Sequence, residues 1–176
     1  MPQTTEPTLD DAIALREAGR LDESRSLLES LVAQRIRREG RKGYDSQCAL
    51  SQLGRTLRAM GRAEEAGALH WEVLATRLEL YGRRGAFTQN SARILADTLR
   101  DFLHEPQMAA AVERWSAEPE MPIHAIPGAA PVTAEELRQI IREHASATAA
   151  YISNLVDEYL QRPTSERLRE PSQVAC

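Results

Sequence analysis

Apolar residues recur at intervals of three and four along most of the chain, in blocks separated by glycine. Leu50, Leu53 and Leu57 form one stripe with Gly54 beside them, and Ala66, Leu69, Val73, Leu74 and Leu78 form the next. That interval is the repeat of one helix face. No alternating run marks a strand. The glycines between blocks end helices because they tolerate left-handed backbone. The pattern predicts helices near 7–18, 21–38, 44–60, 63–80, 87–103 and 106–117.

The blocks also echo one another. Residues 15–43 superpose on 57–85, an offset of 42, with eleven identities in 29 positions. These include Leu15/Leu57, Gly19/Gly61, Arg20/Arg62, Glu23/Glu65, Gly40/Gly82 and Gly43/Gly85. After the same offset again, Leu99, Arg100 and Trp115 keep the register more faintly, and Leu103 stands where the turn glycine is expected. A period of this size signals stacked helical hairpins, each unable to bury its apolar face alone. Small Gly54 and Ala66 suit the point where two helices of a hairpin cross. The fold class expected is all-α: a short α-solenoid of about three helical hairpins plus a long C-terminal helix.

The residues Leu50, Leu53, Gly54, Leu57, Gly61 and Ala66 stand where the tetratricopeptide repeat has its signature. The segment resembles that family, and the 42-residue period with the loop YGRRG resembles its kinesin-light-chain variant. The resemblance covers about residues 7–117 and is strongest at 44–82. It departs at Ala12, where a smaller residue is usual, and at the turn of the third unit. It implies a non-catalytic adaptor or scaffold that binds a peptide or partner protein in a concave groove. The family's groove positions fall on Cys48, Ser51, Arg55 and Arg58 in the second unit, and on Asn90, Arg93, Asp97 and Arg100 in the third. Arg16 and Glu17 belong to the first. An Arg-lined groove suits an acidic partner, because guanidinium binds carboxylate in a bidentate fork. The family's clamp for a peptide C-terminus needs Lys and Asn at fixed positions; only Asn90 comes near, so that mode is not expected.

Beyond Trp115 the pattern changes. Residues 118–132 are Pro-rich and read as a linker. Thr133 and Glu136 form a T-x-x-E capping box, opening a helix over 133–162 that Pro163 stops. Its apolar stripe runs through Leu137, Ile140, Ile141, His144, Thr148, Tyr151, Ile152, Leu155 and Tyr159. Such a face must be covered, either by capping the repeat domain (1–117) or by dimerisation. The tail, 163–176, is polar.

Composition adds limits. Residues 1–116 carry 17 basic and 17 acidic side chains, and 117–176 carry 5 and 9, so the net charge of −4 lies in the C-terminal third. That balance argues against a nucleic-acid partner. Lys42 is the single lysine, a GC-rich, bacterial-like bias. The N-terminus lacks a basic and apolar leader, no run is long enough to span a membrane, and Cys48 and Cys176 show no metal spacing. A cytoplasmic location is therefore expected, with no membrane contact.

Arg37, Arg38, Arg41, Lys42, Arg83 and Arg84 gather in the interhairpin loops and could meet an anion or simply keep the loops solvated. No cofactor, catalytic or metal site is expected. Asp101 and His104 are spaced as a ligand pair without a third member. The alternative to an adaptor is a small all-α enzyme or ligand-binding protein whose pocket uses His70, His104, His124 or His144. A homodimer through the C-terminal helix is a further one.

Overall fold

The computed structural model describes residues 6–117 and 134–168. Its helices are α1 (Leu9–Glu17), α2 (Leu21–Glu39), α3 (Tyr44–Ala59), α4 (Ala63–Tyr81), α5 (Ala86–Asp101), α6 (Pro106–Ala117) and α7 (Ala134–Gln161), followed by a 3-10 turn at Thr164–Glu166. No strand occurs among the described residues, and α1 packs on α2, α4 on α5, and α5 on α6. The fold is all-α, with sequence-adjacent helices paired as in a short α-solenoid. The linker 118–132, Thr133, His124 and Cys176 lie outside the described residues. So do the side chains of Glu136, Leu137, Ile140, Ile141 and His144.

The glycines place the bends. Gly19, Gly40, Gly61 and Gly82 all have positive φ, between 67° and 81°. Gly19 and Gly61 close α1 and α3 with the same bonds: the N–H of Gly19 donates to Arg16 O and that of Arg20 to Leu15 O, while Gly61 and Arg62 donate to Arg58 O and Leu57 O. This 5→2 and 6→1 pair is the Schellman closure, which glycine adopts without the Cβ penalty. After each closure an arginine pairs with the glutamate three residues on: Arg20 with Glu23, and Arg62 with Glu65 through two bonds of 2.6 Å. Gly40 and Gly82 end α2 and α4 at φ/ψ of 81°/168° and 67°/175°, a region almost restricted to glycine. The loops after them match too: Gly43 N–H donates to Gly40 O at 3.1 Å, and Gly85 N–H to Gly82 O at 3.2 Å. The repeat read from residue identities is thus a repeat of hydrogen bonds.

The third turn departs from this. Leu103 N–H donates to Thr98 O and Glu105 N–H to Leu99 O, so the turn is one residue longer. Its positive φ falls on His104, at 56°, and not on Leu103.

Two compact units divide the chain: Met1–Leu53 with Ala150–Cys176, and Gly54–Ala149. In the first, Ala12, Leu28, Leu31, Val32, Leu50 and Leu53 are buried, as are Ile152, Leu155 and Tyr159 of α7. A capping box, Thr8 with Asp11, opens α1. Ser24 Oγ donates to Ala12 O at 2.8 Å, and Arg162 Nη1 donates to Ser30 Oγ at 3.0 Å. In the second unit, Trp71, Leu74, Ala92, Leu95, Ala96, Leu99, Ala109, Val112 and Trp115 form one cluster. Thr148 Oγ1 of α7 donates to Ala68 O of α4 at 3.1 Å. The α7 stripe from Thr148 onward is therefore covered within this chain.

Close helix approach depends on small residues. A Cβ on Gly54 would lie 2.6 Å from Nε2 of His70, and Ala66 is fully buried. A Cβ on Gly67 would lie 2.9 Å from Leu103 Cδ1, a second close contact between α4 and the turn after α5.

Candidate partner-binding face

In the second unit α5 is two-sided. Ala92, Leu95, Ala96 and Leu99 are buried, while Asn90, Arg93 and Arg100 are exposed and Asp97 is half-buried. Spacings of three, four and three put these four polar residues on one stripe. Arg93 Nη2 donates to the neutral amide oxygen of Asn90 at 3.1 Å. Arg100 pairs with Asp97 at 3.6 Å and with Glu113 of α6. The bond to Glu113 and its charge raise the Arg100 pKa, so the guanidinium stays ionised at every accessible pH. Of the two arginines on the stripe, Arg100 is thus neutralised by carboxylates, whereas Arg93, among the described residues, bonds to an amide.

Arg58 and Arg55 come from α3 and are half-buried. Arg58 Nη1 lies 3.5 Å from Thr98 Oγ1, and its guanidinium sits over the Phe102 ring, 5.2 Å from the centroid. Part of its side chain therefore serves packing between α3 and α5.

Cys48 and Ser51 belong to the other unit. Cys48 is a half-buried free thiol. Ser51, expected to line a groove, is only 6% exposed, because its neighbours Leu50 and Leu53 draw that flank of α3 into the core. Arg16, half-buried, donates to Gln52 Oε1 at 2.8 Å, while Glu17 is exposed.

Two of the loop cations have contacts close by. Arg38 pairs with Asp45 at 2.6 Å; Arg83 donates through Nε to Trp115 O at 2.5 Å and covers the Trp115 ring at 4.9 Å. The Trp115 indole N–H beneath it is buried, with no acceptor among the described residues.

Of the histidines, His70 is buried and its Nδ1 lies 3.0 Å from Thr98 Oγ1, whose hydroxyl donates to Ile94 O. The Thr98 oxygen is therefore an acceptor, which puts a proton on Nδ1 of His70. His104 is exposed in the α5–α6 connector. The Asp101–His104 spacing does not become a ligand pair on one helical turn, because α5 ends at Asp101 and the chain then leaves helical geometry. No group of three or more His, Cys, Asp or Glu suited to a metal occurs among the described residues. A cavity of about 450 Å³ is lined by Gly61, Arg62, Ala63, Glu64, Glu65, Phe102 and Leu103, with no histidine in its wall.

Sequence reasoning passed over two features. The Thr8–Asp11 capping box was visible as T-x-x-D before an apolar run. The corner where α4 meets α5 exposes Leu80, Tyr81 and Phe87. Its signal was the replacement, at the 42-residue offset, of Arg38, Glu39 and Asp45 by apolar residues.

No described helix is long and apolar enough to cross a membrane. No curated protein and no solved structure matches the chain. Residues 49–85, which span most of α3, all of α4 and the loop into α5, match the family model for the tetratricopeptide repeat.

Proposed function

We propose that this protein is a non-catalytic adaptor that binds an acidic peptide or partner protein on the Arg93 side of α5, flanked by Arg55 and Arg58. The match to the tetratricopeptide repeat supports a role in protein–protein interaction, since such repeats are typically scaffold elements. The 42-residue recurrence of turn bonds supports the longer, kinesin-light-chain-like variant of the repeat. The observation that carries the acidic partner is Arg93: exposed, on a rigid helix, and bonded to an amide instead of a carboxylate. A folded helical surface lowers the ordering cost of binding, and an incoming carboxylate can engage both guanidinium nitrogens. Arg100, already engaged by Asp97 and Glu113, sets register more than affinity. Cys48 as a free thiol fits a reducing compartment such as the cytoplasm.

The test is a fluorescein-labelled Glu/Ser peptide titrated against the wild-type chain and the double variant Arg55→Glu, Arg93→Glu. Binding should weaken by roughly tenfold or more, with helical circular dichroism unchanged. Equal affinity for the two proteins would reject the α5 face.

A further inference from the structure

Arginine recurs at one repeat position, as Arg16, Arg58 and Arg100, each 42 residues from the next. The three have different surroundings. Arg16 donates to Gln52 Oε1 at 2.8 Å, and Arg100 is paired with Asp97 and Glu113. The residue 42 positions after Gln52 is Ile94, which offers Arg58 no side-chain acceptor. Arg58 turns instead to the last turn of α5. Its Nη1 approaches Thr98 Oγ1 at 3.5 Å, and its guanidinium lies 5.2 Å from the centre of the Phe102 ring. Among the described residues no carboxylate pairs with it.

This neutral seat is set from the core. Thr98 is fully buried. Its hydroxyl donates to Ile94 O at 2.9 Å, and it accepts from Nδ1 of His70 at 3.0 Å. A hydroxyl has one proton and two lone pairs, so the remaining lone pair is left for Arg58. Four residues on, Phe102 is 40% exposed and presents its ring face to the guanidinium. Arg58, His70, Arg93, Thr98 and Phe102 belong to one compact unit. Hydroxyl and ring orient a cation without cancelling its charge, as a carboxylate would. Arg58 is also half-buried, so water weakens an ion pair formed there less than one formed at exposed Arg93.

We infer that Thr98 and Phe102 are positioning residues, holding the Arg58 guanidinium oriented and uncompensated for a partner carboxylate. The inference rests on the acidic-partner reading and adds the groups that organise its site. Thr98 has no accessible surface, so it acts on the partner only through Arg58.

The test is a double-mutant cycle on the full chain with the labelled Glu/Ser peptide. Arg58→Gln should weaken binding roughly tenfold. Thr98→Val keeps the shape and removes the oxygen; Phe102→Leu keeps an apolar side chain and removes the ring. Each should weaken binding roughly threefold. Thr98→Ser, which retains the hydroxyl, should bind as wild type does. In the Arg58→Gln background neither Thr98→Val nor Phe102→Leu should weaken binding further, whereas a purely structural loss would persist there.

Losses of equal size with and without Arg58 overturn the seat and leave the acidic-partner reading standing. So does the absence of any loss from both substitutions, or an Arg58→Gln variant that binds like wild type. Failure of the wild-type chain to bind the peptide overturns that reading and the seat with it. Should Thr98→Val not fold, Phe102→Leu at the exposed end of the seat decides the outcome by the same comparison.

Discussion

The turns after α1 and α3 and the turn after α5 do the same task with different means. The first two close with a glycine at positive φ and the same pair of backbone bonds. The third runs one residue longer and puts positive φ on His104, at the steric cost a side chain brings there. Yet α5 and α6 share the apolar cluster that ends on Trp115. The difference teaches that turn chemistry defines the first two hairpins sharply, while the third is held by its core.

Three measurements press on that contrast. The largest effect is expected from Trp115→Ala. It removes a fully buried side chain and should cost about 3–5 kcal/mol in urea unfolding. A loss under about 1 kcal/mol would mean that packing does not secure the third hairpin. Next come the turns themselves. A Cβ on Gly61 meets nothing within 4 Å, so Gly61→Ala isolates the backbone penalty, about 1–2 kcal/mol. His104→Gly should act oppositely, stabilising by roughly 0.5–1 kcal/mol after the added freedom of the unfolded glycine is subtracted. The same sign for both substitutions would erase the distinction.

The smallest effect is an acid one. The Thr8 backbone N–H, and then its hydroxyl, hold the Asp11 carboxyl below its ordinary pKa. A folded-state value below the unfolded one contributes stability that is complete above the ordinary carboxylate range and disappears as pH falls through the folded value. Glu23, lowered by its bond to Arg20, has the same sign. Helix α6 opens on Pro106 with no acidic residue in its first turn. Amide protection at the start of α1, taken relative to the intrinsic exchange rate at each pH, should therefore fall on acidification, and protection at the start of α6 should not. An equal loss of protection at both would show that the cap does not matter locally.

Much of the fold was legible because glycine spacing and apolar periodicity report local geometry. The six helices expected before Ala117 begin and end within about two residues of those observed. What stayed hidden concerned neighbours across helices. Periodicity assigns a residue to a face but not to what covers that face, so Ser51 read as open and is buried. It counted Arg58 and Arg100 as groove cations without revealing Phe102 under one and Glu113 beside the other. His70 read as a pocket candidate, and its burial and its bond to Thr98 required the fold. The apolar corner lay in the differences between the two copies of the repeat, and identities alone do not reveal it.

The four glycine bends fall at residues 19, 40, 61 and 82, a constant stride of twenty-one. Any stretch running from one bend to the next but one carries a full hairpin's worth of closures. A stretch of that length begins and ends at equivalent turns, so the chain can be shortened or lengthened by one such stretch with the order of turn types unchanged. The extra residue before His104 breaks the stride and marks where that freedom stops.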